Sequence, residues 1–600
     1  MKLLRTTGAL TALLLLSIAG FYKLSAYQTA HNDTDPAGIA AGTDTDTARL
    51  YVTIAGYDIA LWPHNGQYYA FMPSACKDAG LDVTIPENID PSSIVWMYSQ
   101  NLPAVFIETE SGTCEQINTD KNIQESGTIS VLEADGNHDF NLPLTYIKGR
   151  GNTSYTEFAK KPYQIKLADS APLLGMDSAR KWVFVSNASD PTLVRNALSR
   201  DLAAYLELQQ ADNGVFVDLY INSEYVGNYY VTEKIEVKRS RLPITDLEKA
   251  TEIANDTNDL STFETAWTET TKAKAIPEEP DDITGGYLIE RDFDDRFLKE
   301  VETNGSYFIT DAHECFILRA PEYASQNQIV YINDYIQSVE NAILSPDGID
   351  AVTGKSYDEL IDTDSFVRKY LLEEVTANYD GGVASSFFYK DSSSKDDKLY
   401  AGPVWDYDVT WGNSPRYLGY VSTSPDRLSR LAEHSDSSCW FSSLYAKPEF
   451  YEQIVSLYRN EISAYLQTLV DEVLPQLADM TAASAAMDRV RWEEEYIANG
   501  TPESRQEALA FLSDYIRGRR TFLDKAWIEQ IPVYRASLWI ENTIYDTLYI
   551  FDGETLPAFP DVTLDYAEFQ GWATPEGAAP DFADPVHADM TFRAVLQYQN

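Results

Sequence analysis

A change of hydrophobic period partway along the chain constrains its fold most. Up to about residue 240, apolar residues come in short runs broken by Gly, Pro and Asn: LYVTIAGYDIALW, QYYAFM, AVFIET, TISVLE, LTYIKG, YQIKL, then VFVDLYIN and YVGNYYVTEKI joined by Ser-Glu. Such runs read as strands. One helix interrupts them, with Asp190 as cap, Pro191 in the first position and Leu193, Val194, Ala197, Leu198 and Leu202 on one stripe. After an acidic stretch, GGYLIE reads as a buried strand. From residue 364 the period becomes helical: DSFVRKYLLEEVTAN sets Phe366, Val367, Tyr370, Leu371 and Val375 on one side, and residues 443–530 continue helical. Strands return in SLWIEN, TLYIFD and TFRAVL. The pattern is α+β, a β-rich half followed by a helix-rich half, with small β modules at both ends.

The 600 residues suffice for more than one domain, and the 44% hydrophobic content excludes a disordered chain. With 46 basic against 93 acidic residues, the net charge of -47 argues against nucleic acid and anionic membrane surfaces as partners. Lys2 and Arg5 precede an apolar run over residues 8–22 and small residues at Ser25, Ala26, Thr29 and Ala30. This is a signal peptide or an uncleaved signal anchor, and the anchor would be the sole membrane attachment. The divisions expected are a leader at 1–30, a linker at 31–48, a β module at 49–101, the main domain at 102–530 with a solvated, partly helical acidic insertion at 246–282, and a β domain at 531–600. Four cysteines without a C-x-x-C pair and six scattered histidines suggest no zinc site. Export permits the disulfides Cys76–Cys114 and Cys315–Cys439, one of three connectivities.

Three constellations carry chemistry. Between residues 148 and 166 lie Lys148, Arg150, Lys160, Lys161 and Lys166 with one acid, Glu157, a local reversal of the chain's charge. Gly149 and Gly151 sit within it, and flexible backbone N–H groups beside cations suit a phosphate. Lys166 is a second, strand-borne cation. The plain alternative is a solvated basic strand face. Next, Glu233 adjoins Lys234, a pair that either holds a phosphate-binding lysine or points to opposite faces of a strand. Finally, Asp380 follows a helix in NYDGGVASS, and Asp406 and Asp408 sit among aromatics in GPVWDYDVTWG. Phosphoryl transfer uses one carboxylate at the acceptor hydroxyl and others on Mg²⁺, which prefers oxygen ligands.

The run KGRGNTSYTEFAKKPYQIKLADSAPLLGMDSARKWVFVSNASDPTLVRNALSRDLA, then FVDLYINSEYVGNYYVTEKIEVKRSRL, GGYLIERDF, YLLEEVTANYDGGVASSFFYKD and GPVWDYDVTWGN resemble, in order, the blocks of the CotH kinase family. The resemblance implies a two-lobed atypical protein-kinase-like core and transfer of the ATP γ-phosphate, with Mg²⁺ or Mn²⁺, to Ser/Thr hydroxyls of secreted or cell-surface proteins. By motif, Asp380 is the catalytic aspartate and Asp406 the metal ligand, with Asp408 a further candidate. Arg150, Gly151 and Asn152 of the RGNTS loop, with Lys161, Lys166, Glu233 and Lys234, face the nucleotide. Ser385 stands where protein kinases place a metal-binding Asn, five residues after the catalytic Asp. A non-catalytic cell-surface adhesin or scaffold with the same fold is the alternative. FQGWATPEGAAPDFADPVHADMTFRAVL resembles the Listeria–Bacteroides, internalin B-type repeat.

Overall fold

The structure is a computed structural model that describes residues 50–598 except 139, 210–213, 293–295, 299–300, 304, 416–422, 429–439 and 501–503. The leader and linker lie outside the described residues. Among those described, no helix is long and apolar enough to cross a membrane.

Strands β1 (Tyr51–Ile54), β2 (Tyr57–Ala60) and β5 (Val83–Thr84) form one small sheet, and β3 (Trp62–His64), β4 (Gln67–Met72) and β6 (Ile94–Tyr98) a second. Both pack against the next strands of the chain. Tyr57 stacks on Phe106 at 4.0 Å, and the Tyr220 hydroxyl donates to the Phe71 carbonyl at 3.0 Å.

Those strands are β7 (Ala104–Thr109), β8 (Glu125–Leu132), β9 (Phe140–Gly149), β10 (Tyr163–Leu173), β11 (Met176–Val185), β12 (Gly214–Ile221) and β13 (Glu224–Glu233). They close into a barrel in the order β10-β11-β13-β12-β7-β8-β9. Alternation selects the lining: Val105, Ile107, Ile129, Val131, Ile165, Leu167, Trp182, Val217 and Val231 fill the interior. The β12–β13 hairpin turns at Asn222-Ser223, whose φ values of 50° and 67° fit a two-residue type I′ turn; Glu224 is already strand. The helix expected from Asp190 starts later, at Arg195, and runs Arg195–Tyr205. Asp190 still serves its approach, accepting from the backbone N–H groups of Thr192 and Arg195, each at 2.9 Å.

A seven-stranded sheet comes after the barrel, built from β14 (Thr265–Trp267), β15 (Thr271–Lys274), β16 (Tyr287–Arg291), β17 (Tyr307–Ile309), β18 (Cys315–Ala320), β19 (Ser386–Lys390) and β20 (Leu399–Ala401). Its order is β14-β15-β17-β18-β16-β19-β20. The acidic segment 246–282 is therefore more than a solvated insertion. It gives the sheet two strands and a helix, Leu247–Ala254, whose Leu247 and Thr251 are buried. The helix Thr363–Thr376 forms as expected, capped by Asp362, with Phe366, Val367, Tyr370, Leu371 and Val375 buried. Helices continue from Trp440 onward, ending with Arg505–Leu523. The C-terminal strands β21 (Val533–Ile540), β22 (Thr543–Phe551), β23 (Ala567–Ala573) and β24 (Met590–Tyr598) make one sheet around Leu538, Ile550 and Phe592. The mixed α+β class is thus observed.

A buried polar network ties the barrel to the helical half. The Lys160 ammonium lies 2.5 Å from the Asp488 carboxylate, both almost fully buried. Asp488 also accepts from the Asn228 backbone and the Tyr496 hydroxyl, each at 2.8 Å. A Cβ at Gly227 would fall 2.4 Å from Asp488 Oδ1, so the close approach requires glycine there. Lys160 is therefore a structural cation, held away from any phosphate. Cys76 and Cys114 are free thiols, so the expected bridge between them does not form. Cys439, expected to pair with Cys315, lies outside the described residues.

Candidate active site

Where the barrel end meets the seven-stranded sheet there is a cavity of about 860 Å³. One wall comes from the barrel. Strand β9 ends at Gly149, where a Cβ would fall 2.2 Å from the Tyr155 ring. Gly151 comes two residues later with φ of +87°, a left-handed conformation that favours glycine. The Lys121 ammonium fastens this turn, donating to the Gly151 carbonyl at 3.2 Å and to Asn152 Oδ1 at 2.7 Å. Arg150, Gly151 and Asn152 all line the cavity. The Arg150 guanidinium lies 5.0 Å from the centre of the Trp405 ring. Burial lowers its pKa, against the opposing fields of Asp406, Glu290 and Asp408.

Lys148, Lys181 and Lys234 continue the basic wall. Lys181 pairs with Glu236 at 2.9 Å, which raises its pKa against the burial penalty. The Lys234 ammonium is pushed down to about 8, first by burial and then by Lys181. Its unfolded value is near 10.5, so the unfolded chain holds the extra proton between about pH 8 and 10.5. Stability therefore rises with pH across that window, and below it the charged lysine withholds stability. Lys234→Met is expected to raise the melting temperature of the ligand-free protein at pH 7 and to weaken phosphate binding. In wild type, tripolyphosphate affinity should fall as pH passes about 8. Calorimetry across pH 7–9.5 checks both, and a pH-independent affinity would show that Lys234 does not contact the bound phosphate.

Carboxylates line the same cavity. After the helix Thr363–Thr376 the chain reverses at Ala377, with φ of 49°. Asp380 lies in the next turn, closed by its carbonyl, which accepts from Val383 and Ala384 N–H at 3.1 and 2.9 Å. Asp406 is exposed and left-handed, with φ of 66°. A non-glycine residue there costs energy, and such strain gathers at functional sites. Its neighbour Tyr407 supplies the anchor: the backbone N–H donates to Asn196 Oδ1 at 2.8 Å, and the buried hydroxyl to Glu373 at 2.7 Å. Asp408 accepts from the Ser189 hydroxyl, while Asn413 Nδ2 donates to the Asp408 carbonyl at 2.7 Å. Burial, then the charges of Asp406 and Asp380, push the Asp408 carboxyl above the usual carboxylate range. Ser385, buried and with φ of 48°, also lines the cavity.

Eight of the expected site residues thus share one cavity: Arg150, Gly151, Asn152, Lys234, Asp380, Ser385, Asp406 and Asp408. Three do not line it. The Lys161 ammonium turns back to the Tyr155 carbonyl at 2.5 Å and lies over that ring. Lys166 lies on β10 two residues beyond Gln164 and in register with Lys181; Gln164 and Lys181 line the cavity and Lys166 does not. Glu233 is buried, 3.9 Å from Arg241, because successive residues of a strand face opposite sides and Lys234 takes the cavity side. Sequence reasoning missed Lys181, Glu236 and Lys121. Their signal was weak, since each is an ordinary charged residue until the barrel closes.

The donor set suits a hard divalent cation. Asp406 and Asp380 both disfavour ionisation of Asp408, a repulsion that a cation among them would relieve. Among the described residues no three His, Cys, Asp or Glu side chains close into a ready-made metal cage. Mg²⁺ is commonly held by one or two carboxylates, with phosphate oxygens and water completing its shell.

A cationic glycine turn and the aspartates Asp380, Asp406 and Asp408 thus line one cavity. Residues 147–523, more than half of the chain, match the family model described as CotH kinase protein. The chain belongs to the CotH kinase family. Comparison with curated proteins gives no match.

Proposed function

We propose that this chain is an exported, two-lobed, metal-dependent protein kinase that transfers the ATP γ-phosphate to Ser/Thr hydroxyls of secreted or cell-surface proteins. The observation that carries this reading is the one cavity that Arg150 and Lys234 share with Asp380 and Asp406. Arg150 and Lys234 neutralise phosphate oxygens, and Glu236 orients Lys181 toward them. Asp406, with Asp408 and Ser385 beside it, would hold Mg²⁺ or Mn²⁺, which when bound neutralises charge on the phosphates. Asp380 orients the acceptor hydroxyl and takes its proton as the new O–P bond forms and the bond to ADP breaks. Since that transition state is loose, positioning and charge neutralisation supply most of the acceleration. The basic and apolar leader supports an extracytoplasmic setting.

A thermal-shift titration tests the reading. ATP with Mg²⁺ should raise the melting temperature in a saturable way, and the rise should need the divalent cation and be lost in Asp406→Ala. A wild-type protein that ATP with Mg²⁺ or Mn²⁺ does not stabilise would favour the adhesin or scaffold alternative.

A further inference from the structure

We infer that Trp405 is a positioning residue whose indole face holds the Arg150 guanidinium in place and so couples the anion-binding turn to the metal-binding aspartate next along the chain. This rests on the reading of the cavity as a phosphotransfer site. Three observations carry it. The guanidinium carbon stands 5.0 Å from the indole centre, within cation–π range. Trp405 immediately precedes Asp406, whose backbone is left-handed with φ of 66°. Trp405 also packs against the small apolar cluster of Val237, Leu288, Phe387 and Tyr389, which draws on the segment after the barrel and on strands of the sheet. The half-buried indole thus contacts both the Arg150 guanidinium and the apolar cluster, directly beside Asp406 in the chain.

The chemistry explains why an arginine stands here. A guanidinium lying on an aromatic face keeps its N–H edges free for the oxygens of a phosphate, and its planar fork is pre-organised for that contact. A lysine ammonium offers no flat face to stack. The same contact helps Arg150 remain beside the carboxylates of Asp406 and Asp408 without collapsing onto them.

The test is a double-mutant cycle in the full-length protein with Trp405→Leu, Trp405→Met, Arg150→Lys and the Trp–Arg doubles. Phosphotransfer kinetics and metal-free binding of tripolyphosphate are read in parallel. Each single change should lower kcat/KM and tripolyphosphate affinity by about tenfold, and the double should be no more than about twofold worse than the worse single. Trp405→Phe, which keeps a π face, should recover both readouts to within about threefold. Near-multiplicative losses in the double, or equal losses in Trp405→Phe and Trp405→Leu, would overturn the inference. Leu and Met are used together so that one folded variant suffices, judged by melting temperature. If wild type transfers no phosphate, the functional reading fails on its own, while tripolyphosphate binding still decides whether Trp405 positions Arg150.

Discussion

Asp380→Asn is expected to reduce phosphotransfer by about 10³-fold, within the range that a positioned general base contributes. The turn carrying Asp380 is closed by main-chain bonds from Val383 and Ala384, which asparagine retains. The side chain keeps its size and loses only its charge and its capacity to accept a proton. Transfer of label from γ-labelled ATP to a protein acceptor measures the effect, with melting temperature and nucleotide affinity as controls. Nucleotide affinity should change little, because phosphate binding is assigned to Arg150 and the lysines. Equal labelling by wild type and Asp380→Asn would remove Asp380 from the chemistry.

Asp488→Ala is expected to carry the largest stability loss. It strips the counter-ion from Lys160, whose side chain is 2% exposed, and removes the acceptor for Asn228 N–H and the Tyr496 hydroxyl. Leaving one member of a buried ion pair alone costs about 3–5 kcal/mol. The apolar double change Lys160→Met with Asp488→Leu should recover most of that loss, because both charges then leave the interior together. Urea unfolding with a common m-value checks both variants. The network joins the barrel to the helical half, so Asp488→Ala should also loosen the cavity and weaken nucleotide binding. A loss under about 1 kcal/mol in Asp488→Ala would contradict the burial of the pair.

The sequence was most legible where the deciding interactions are short in range. The strands β7 to β10, β12 and β13 and the helix Thr363–Thr376 were readable, because alternation, period and capping are local signals, whereas β11 in MDSARKWVFV was not read as a strand. Arg150, Gly151 and Asn152 stood out as a cationic glycine turn in an acidic chain, Asp380 as a carboxylate just past a helix, and Asp406 and Asp408 as carboxylates among aromatic anchors. Choosing among neighbouring cations was not local. Lys160 and Lys161 are adjacent, yet one is drawn to Asp488 far along the chain and the other to Tyr155. Lys166 and Lys181 are cross-strand partners, yet Lys181 lines the cavity and Lys166 does not, a distinction that no local pattern in the sequence carries. The seven-stranded sheet escaped the reading because β18 pairs with β16 and β16 with β19, across intervening helices. The two strands within segment 246–282 were hidden by acidic flanks that said more about solvent than about pairing.

In the proposed kinase the Arg150 turn and the Asp380 and Asp406 carboxylates meet around one metal–triphosphate group. A crystal structure with Mn²⁺ and a non-hydrolysable ATP analogue tests it most directly. Anomalous Mn²⁺ density should lie against the Asp406 carboxylate, with phosphate oxygens on Arg150 and the γ-phosphate facing Asp380. Nucleotide bound outside this cavity, or Mn²⁺ coordinated without Asp406, would contradict it.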